Sequence, residues 1–106
     1  MQTNTRLIAA QVVLNSLGLQ RGPWVMEQFR AEGFQTGPLV GISFSIAGPV
    51  QRFEQFFQVR AEREGPQPFP TDELPLESLD PALREHIDAV LFTKPPAFGP
   101  GAYSER

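Results

Sequence analysis

The distribution of proline constrains this chain more than any other feature. Eight of the eleven prolines in its 106 residues lie between Pro66 and Pro100. Proline lacks an amide hydrogen and has a fixed φ, so it is rare in helix interiors and central strands. We therefore expect most regular structure to precede Gly65. The predicted organisation is one folded domain over residues 1–93, followed by an extended, exposed tail over 94–106.

Apolar patterning before the proline-rich region predicts alternating strands and helices. The run Leu7–Leu14 is short, apolar and rich in β-branched residues, which favours a strand buried on both faces. The polar and glycine residues within 15–22 predict a loop. A helix is predicted over 23–32, ended by Gly33 in the left-handed conformation. Two extended pieces, 34–40 and 42–47, follow and predict an antiparallel pair with a tight turn between them.

A second helix and a fourth strand complete the predicted pattern. Val50, Phe53 and Phe57 recur at helical spacing, and the charged alternation over 58–64 is typical of an edge strand. The order strand, helix, strand, strand, helix, strand predicts an α+β protein. Specifically, it favours the ferredoxin-like βαββαβ sandwich, in which two helices cover one face of a four-stranded antiparallel sheet.

The second half of the domain is predicted to be mostly irregular. Asp80 and Pro81 begin a short helix in which Ile87 and Val90 share one face, and 91–93 can add a short strand. Beyond it, the proline- and glycine-rich tail can neither continue a helix nor pair within a sheet.

Composition excludes several classes of partner. The net charge is −3, the only lysine is Lys94 and no arginine run is present, so neither a nucleic acid nor an anionic membrane is an expected partner. Cysteine is absent, which excludes disulfides and thiolate chemistry. Residues 1–6 and the apolar run after them match neither a signal peptide nor a membrane span, so a cytoplasmic protein is expected.

The residues suited to catalysis or metal binding do not form a recognisable motif. His86 is the only histidine, and the serines 43 and 45 alternate with apolar strand residues without a nucleophile-elbow pattern. The acidic residues near 72–80 lack the spacing of a calcium loop, and the glycines at 37, 41 and 48 lack that of a phosphate loop. We therefore expect a protein that is not an enzyme and that has no cofactor or metal.

Five segments share a distinctive set of motifs: a helix ended by glycine, an alternating strand and a helix with phenylalanine spacing. They are MEQFRAEGF (26–34), ISFSIAGP (42–49), VQRFEQFFQV (50–59), LPL (74–76) and LDPALREHIDAVL (79–91). Through them, about residues 25–92 resemble the activation prodomains of sedolisin-type and subtilisin-type serine proteases. The resemblance implies a non-catalytic inhibitor or folding chaperone that acts in trans, because these 106 residues contain no protease domain.

Two functional hypotheses follow. The first is a module that binds a protein partner, a serine protease, with its tail lying along the partner's cleft as a substrate-like strand. The alternative is a structural or regulatory subunit that forms homo-oligomers through its sheet and binds a small ligand. Aromatic helix residues could line a ligand cavity, although core packing is the simpler interpretation. The candidate partner-binding residues are Trp24, Lys94, Phe98 and Tyr103.

Overall fold

The computed structural model describes residues 7–61 and 73–93, which form an α+β structure with one four-stranded antiparallel sheet. The strands follow the spatial order β2-β3-β1-β4. In chain order the elements are β1 (Leu7–Leu14), α1 (Ser16–Gln20), α2 (Gly22–Ala31), β2 (Gln35–Thr36), β3 (Ser43–Pro49), α3 (Val50–Phe57), α4 (Pro81–Arg84) and β4 (Ile87–Thr93).

Strand β1 occupies the exact range predicted from its apolar run, but only one of its faces is buried. It pairs with β3 on one side and with β4 on the other. Its buried side chains alternate with Ala9, Gln11 and Val13, which remain half-exposed. The prediction of burial on both faces was therefore wrong, because the described helices pack against a single face. The buried residues of β1 are Ile8, Ala10, Val12 and Leu14.

Phenylalanine rings fill the space between the sheet and helices α2 and α3. Phe29 of α2 is fully buried, and its ring centroid lies 5.9 Å from those of Phe34 and Phe44. Phe53 of α3 packs against Phe34 with the centroids 4.9 Å apart. Edge-to-face geometry of this kind adds to the stabilisation from burial alone. These rings are core residues, as the helical spacing favoured, while Phe56 at the edge is half-buried.

The fourth strand predicted over 58–64 is wrong. Gln58 ends α3 in the left-handed conformation, with φ 57°, and residues 59–61 form no strand. Residues 62–64 lie outside the described part of the chain. The position beside β1 is taken by β4, which buries three large apolar side chains, whereas 58–64 offers only Val59 and Ala61. Greater apolar burial explains this choice.

Helix α4 is shorter than predicted. The prediction extended it to Val90 because a bulge in β4 gives two strand residues the spacing of a helix face. Asp80 caps α4 by accepting from Ala82 N at 3.0 Å, as expected, but the helix ends at Arg84. The β1–β4 register then shifts between Val13 and Leu14, opposite Asp88. An extra residue in a strand places two side chains three positions apart on the same face. Ile87 and Val90 are such a pair, and both are buried.

Two further differences concern the first half of the chain. Helix α1 was predicted as loop, yet Asn15 caps it by accepting from Gly18 N at 2.8 Å. Strand β2 covers only two residues of the predicted 34–40, since Pro38 has no amide hydrogen to donate. Helix α2 agrees with its predicted range to within one residue, and Gly33 has the expected positive φ, 97°.

The outer edge of β4 is partly covered by the segment that precedes α4. Leu74 N donates to Val90 O at 2.9 Å, and Glu73 pairs with Leu91. Within the described ranges, no helix is long and apolar enough to cross a membrane. The predicted tail, 94–106, and most of the connection over 65–75 lie outside the described residues.

Candidate functional site

The face of the sheet opposite helices α2 and α3 is a surface that no described helix covers. Cross-strand partners share a face, so the register assigns its side chains row by row. One row joins Ser45, Gln11 and Leu91, and the next joins Ser43, Val13 and Ala89. We call the central part of this surface the open face; its residues are Ala9, Gln11, Val13, Ser43, Ser45, Ala47, Ala89 and Leu91.

The open face carries small or neutral side chains. Gln11 donates from Nε2 to Ser43 Oγ at 2.9 Å, so part of its polarity is satisfied within the surface. Leu91 is 40% exposed, and its bridge partner Glu73 extends this row at the edge of the sheet. Asp88 stands at the bulge of β4, on the same edge. The eight residues of the open face are themselves uncharged, so another surface can cover them without desolvating an ion, while the acidic groups lie along the β4 edge.

Trp24, the predicted partner anchor, belongs to a different surface on the helical side. It is half-buried, with its ring centroid 5.2 Å from that of His86. The Arg21 guanidinium carbon lies 4.8 Å from the Trp24 ring centroid, a cation–π contact. Trp24 thus packs against one end of the core. The other three predicted partner residues, Lys94, Phe98 and Tyr103, lie outside the described residues.

Trp24 also lines a cleft of about 450 Å³ between α2, α3 and residues 78–83. Several polar groups along this cleft already have internal partners. Ser78 Oγ donates to Phe56 O at 2.9 Å, and the Gln58 side chain donates to Gln55 O at 2.7 Å. On the other side, Nη1 of Arg52 donates to the carbonyl oxygen of Glu32 at 2.9 Å. These hydrogen bonds satisfy backbone carbonyl groups at the C-terminal ends of α2 and α3, so the cleft walls serve the packing of the helices.

His86 is buried on the helical side of the sheet, against the Trp24 ring. It is 2% exposed, and its Nδ1 lies 2.8 Å from Ala82 O. A carbonyl oxygen only accepts, so this contact requires the tautomer with the proton on Nδ1. Nε2 is buried and has no hydrogen-bond partner among the described residues. The main-chain oxygen of His86 accepts from the amide of Asn15 at 3.2 Å, which joins the start of α1 to the start of β4.

Replacing His86 with alanine is expected to lower the free energy of unfolding by about 2 kcal/mol, because the variant loses both ring packing and the bond to Ala82. His86→Asn should recover part of this loss, since its amide can donate where Nδ1 does. Urea unfolding followed by the fluorescence of Trp24, the single tryptophan, measures both effects. If both variants unfold like the parent chain, His86 has no such structural role.

The other candidate catalytic or metal-binding residues are not brought together. Ser43 and Ser45 belong to the open face, whereas the His86 ring packs on the helical side of the sheet. Asp80 is engaged as the cap of α4. Within 7–61 and 73–93, no group of three or more acidic or histidine residues could hold a metal ion. Asp72 lies outside these ranges.

The sequence analysis predicted that the sheet could serve as an interaction surface, but it assigned no residues to the open face. The available signal was the alternation in β1 and β3, where Gln11, Ser43 and Ser45 interrupt apolar runs. A polar residue at every second position marks the side of a strand that faces away from the core.

No family model, curated protein or solved structure matches this chain.

Proposed function

We propose that this protein is a non-catalytic binding module of the ferredoxin-like type that docks on a protein partner through the open face. The uncharged character of that face is the observation that carries the proposal. The partner class that we propose is a serine protease of the sedolisin or subtilisin type, following the resemblance of residues 25–92 to activation prodomains. The activity is inhibition or assisted folding of that protease in trans.

The strand order supports the ferredoxin-like assignment. The order β2-β3-β1-β4 is antiparallel throughout, with α2 between β1 and β2 and α3 after β3. This is the arrangement expected of a split βαβ sandwich. Helices α1 and α4 are short additions at the ends of strands. In such a sandwich the helices occupy one face, which leaves the other for contacts between proteins.

The sheet edges favour docking through side chains over addition of a strand. Strand β2 is two residues long, and the edge of β4 is bridged by Glu73 and Leu74. A partner strand would therefore find few free backbone groups in a row. The open face, by contrast, offers three adjacent long strands and neutral side chains. Contacts of this kind bury surface at a low desolvation cost.

Replacing Leu91 with lysine tests the proposal. The purified full chain is titrated into a sedolisin-type and a subtilisin-type peptidase, with inhibition and complex formation measured. We expect Leu91→Lys to weaken binding about tenfold or more, because the complex would have to take an ammonium group out of water. The variant should fold normally, since Leu91 is 40% exposed.

The matched control is Ala31→Lys, which adds the same charge on the exposed helical side. It should bind like the parent chain. The proposal fails if the parent chain neither inhibits nor forms a complex with either protease. It also fails, with respect to the open face, if Leu91→Lys and Ala31→Lys bind equally well.

A second candidate function is a structural or regulatory subunit that forms a homo-oligomer through the same face. The favouring observation is again neutrality, because two copies would meet there without like-charge repulsion although each chain carries a net charge of −3. Light scattering detects such an oligomer. Deletion of 94–106 separates the two functions. The deletion should sharply weaken a complex in which the tail enters the active-site cleft of the protease, whereas it should leave a homo-oligomer intact.

A further inference from the structure

We infer that the docking surface continues beyond the open face onto an apolar end of the molecule, so that one protein partner covers both. This inference rests on the proposed function and extends its interface. The apolar end consists of α1 and the connection between β2 and β3. It holds five of the seven exposed large hydrophobic side chains found in the described ranges: Leu17 (43% exposed), Leu19 (38%), Leu39 (37%), Val40 (69%) and Ile42 (53%).

The connection between β2 and β3 is held by contacts with the residues on either side of α1. Leu14, which leads into α1, donates from its amide to Ile42 O at 2.8 Å. Leu39 packs against the start of α2, where its Cδ2 would lie 3.1 Å from a Cβ added at Gly22. The connection is therefore attached to the body of the protein at both points, and its exposed side chains have a defined position.

The hairpin turn makes the apolar end continuous with the open face. Val40 and Ser43 exchange two backbone hydrogen bonds, of 2.9 Å and 3.2 Å, around a two-residue turn. Because cross-strand partners share a face, Val40 extends the row formed by Ser43, Val13 and Ala89. The most exposed large apolar side chain in the described residues thus stands at the rim of the open face.

The charge pattern identifies the kind of partner. Residues 7–20 and 33–51, which supply β1, α1, β2 and β3, contain no charged side chain. A charged residue of the partner buried against these two segments would find no counter-ion within them, which is costly. The fitting occupant is therefore an uncharged, apolar protein surface. An interface of this type also predicts that affinity changes little with ionic strength, since there are few charge contacts for salt to screen.

The test compares variants of the full chain against the sedolisin-type peptidase as the probe. Val40→Lys is expected to weaken binding about tenfold or more, similarly to Leu91→Lys, whereas the isosteric Val40→Thr should have a smaller effect. Ala31→Lys is the charge control and should bind like the parent. Each variant's urea midpoint should match that of the parent chain, because Val40 is mostly exposed.

Three results would overturn the inference. If Leu91→Lys weakens the complex and Val40→Lys does not, the apolar end lies outside the interface while the proposed function stands. If light scattering shows a dimer that Val40→Lys dissociates, the occupant is a second copy of this chain. If affinity falls by more than about tenfold between low and high salt, the interface depends on charges elsewhere. Absence of any complex contradicts the proposed function itself.

Discussion

Gly18→Ala is expected to lower the free energy of unfolding by about 2–3 kcal/mol through steric overpacking. The same substitution inside an ordinary helix stabilises by about 1 kcal/mol, so the sign of the effect is diagnostic. Gly18 is buried in α1, and an added Cβ would lie 2.1 Å from the carbonyl oxygen of His86 and 3.1 Å from Leu14 Cβ. The nearest atom belongs to the backbone of the connection into β4, so relief requires α1 to move away from the sheet.

Urea unfolding monitored by circular dichroism measures this change. Gly22→Ala is the matched control: Gly22 is also buried, but its added Cβ would meet only the flexible end of Leu39, at 3.1 Å. The control should therefore cost less than Gly18→Ala. Equal stability of Gly18→Ala and the parent chain would show that α1 does not rest on the His86 carbonyl.

Phe29→Ala is expected to have a larger effect, a loss of about 3–5 kcal/mol in the free energy of unfolding. The side chain is fully buried and contacts the rings of Phe34, Phe44 and Phe56, whose centroids lie 5.5–5.9 Å away. The substitution removes a ring that packs between helices α2 and α3 and the sheet. The surrounding rings cannot collapse fully into the space, so a cavity adds to the lost burial energy.

Phe56→Ala provides the comparison, because it removes the same side chain from a half-buried position one ring away. Its cost should be clearly smaller than that of Phe29→Ala when both are measured by urea unfolding. Since a domain of this size is stable by only about 5–15 kcal/mol, Phe29→Ala can leave the chain largely unfolded at 37 °C. Equal losses for the two variants would contradict the assignment of Phe29 to the centre of the core.

The candidate surfaces were less predictable than the elements that carry them. The neutrality of the open face is visible in the sequence, because residues 33–51 contain no charge, but its extent is not. Leu91 joins Gln11 and Ser45 in one row only through the pairing of β4 with β1. Val40 reaches the same face through the hairpin register. Such neighbours are far apart in the chain, and local patterns do not specify which strands pair.

Local chemistry in the sequence determined the elements whose signals lie within a few residues. The apolar run of β1, the spacing of Phe53 and Phe57 in α3, the cap at Asp80 and the positive φ of Gly33 were all predictable, because each depends on side-chain period or backbone sterics. They are sufficient to predict an α+β chain with an antiparallel sheet.

Tertiary structure alone decided which segment became the fourth strand. Residues 58–64 have a strand-like charge alternation, yet Ile87–Thr93 pairs with β1 because it buries Val90 and Phe92 against the aromatic core. The bulge in β4 gives Ile87 and Val90 a helical spacing, which is why the sequence predicted a helix at these residues. The physical reason is that the segment that buries the larger apolar area pairs with the edge of β1. That area depends on contacts between residues distant in sequence, which local patterns do not show.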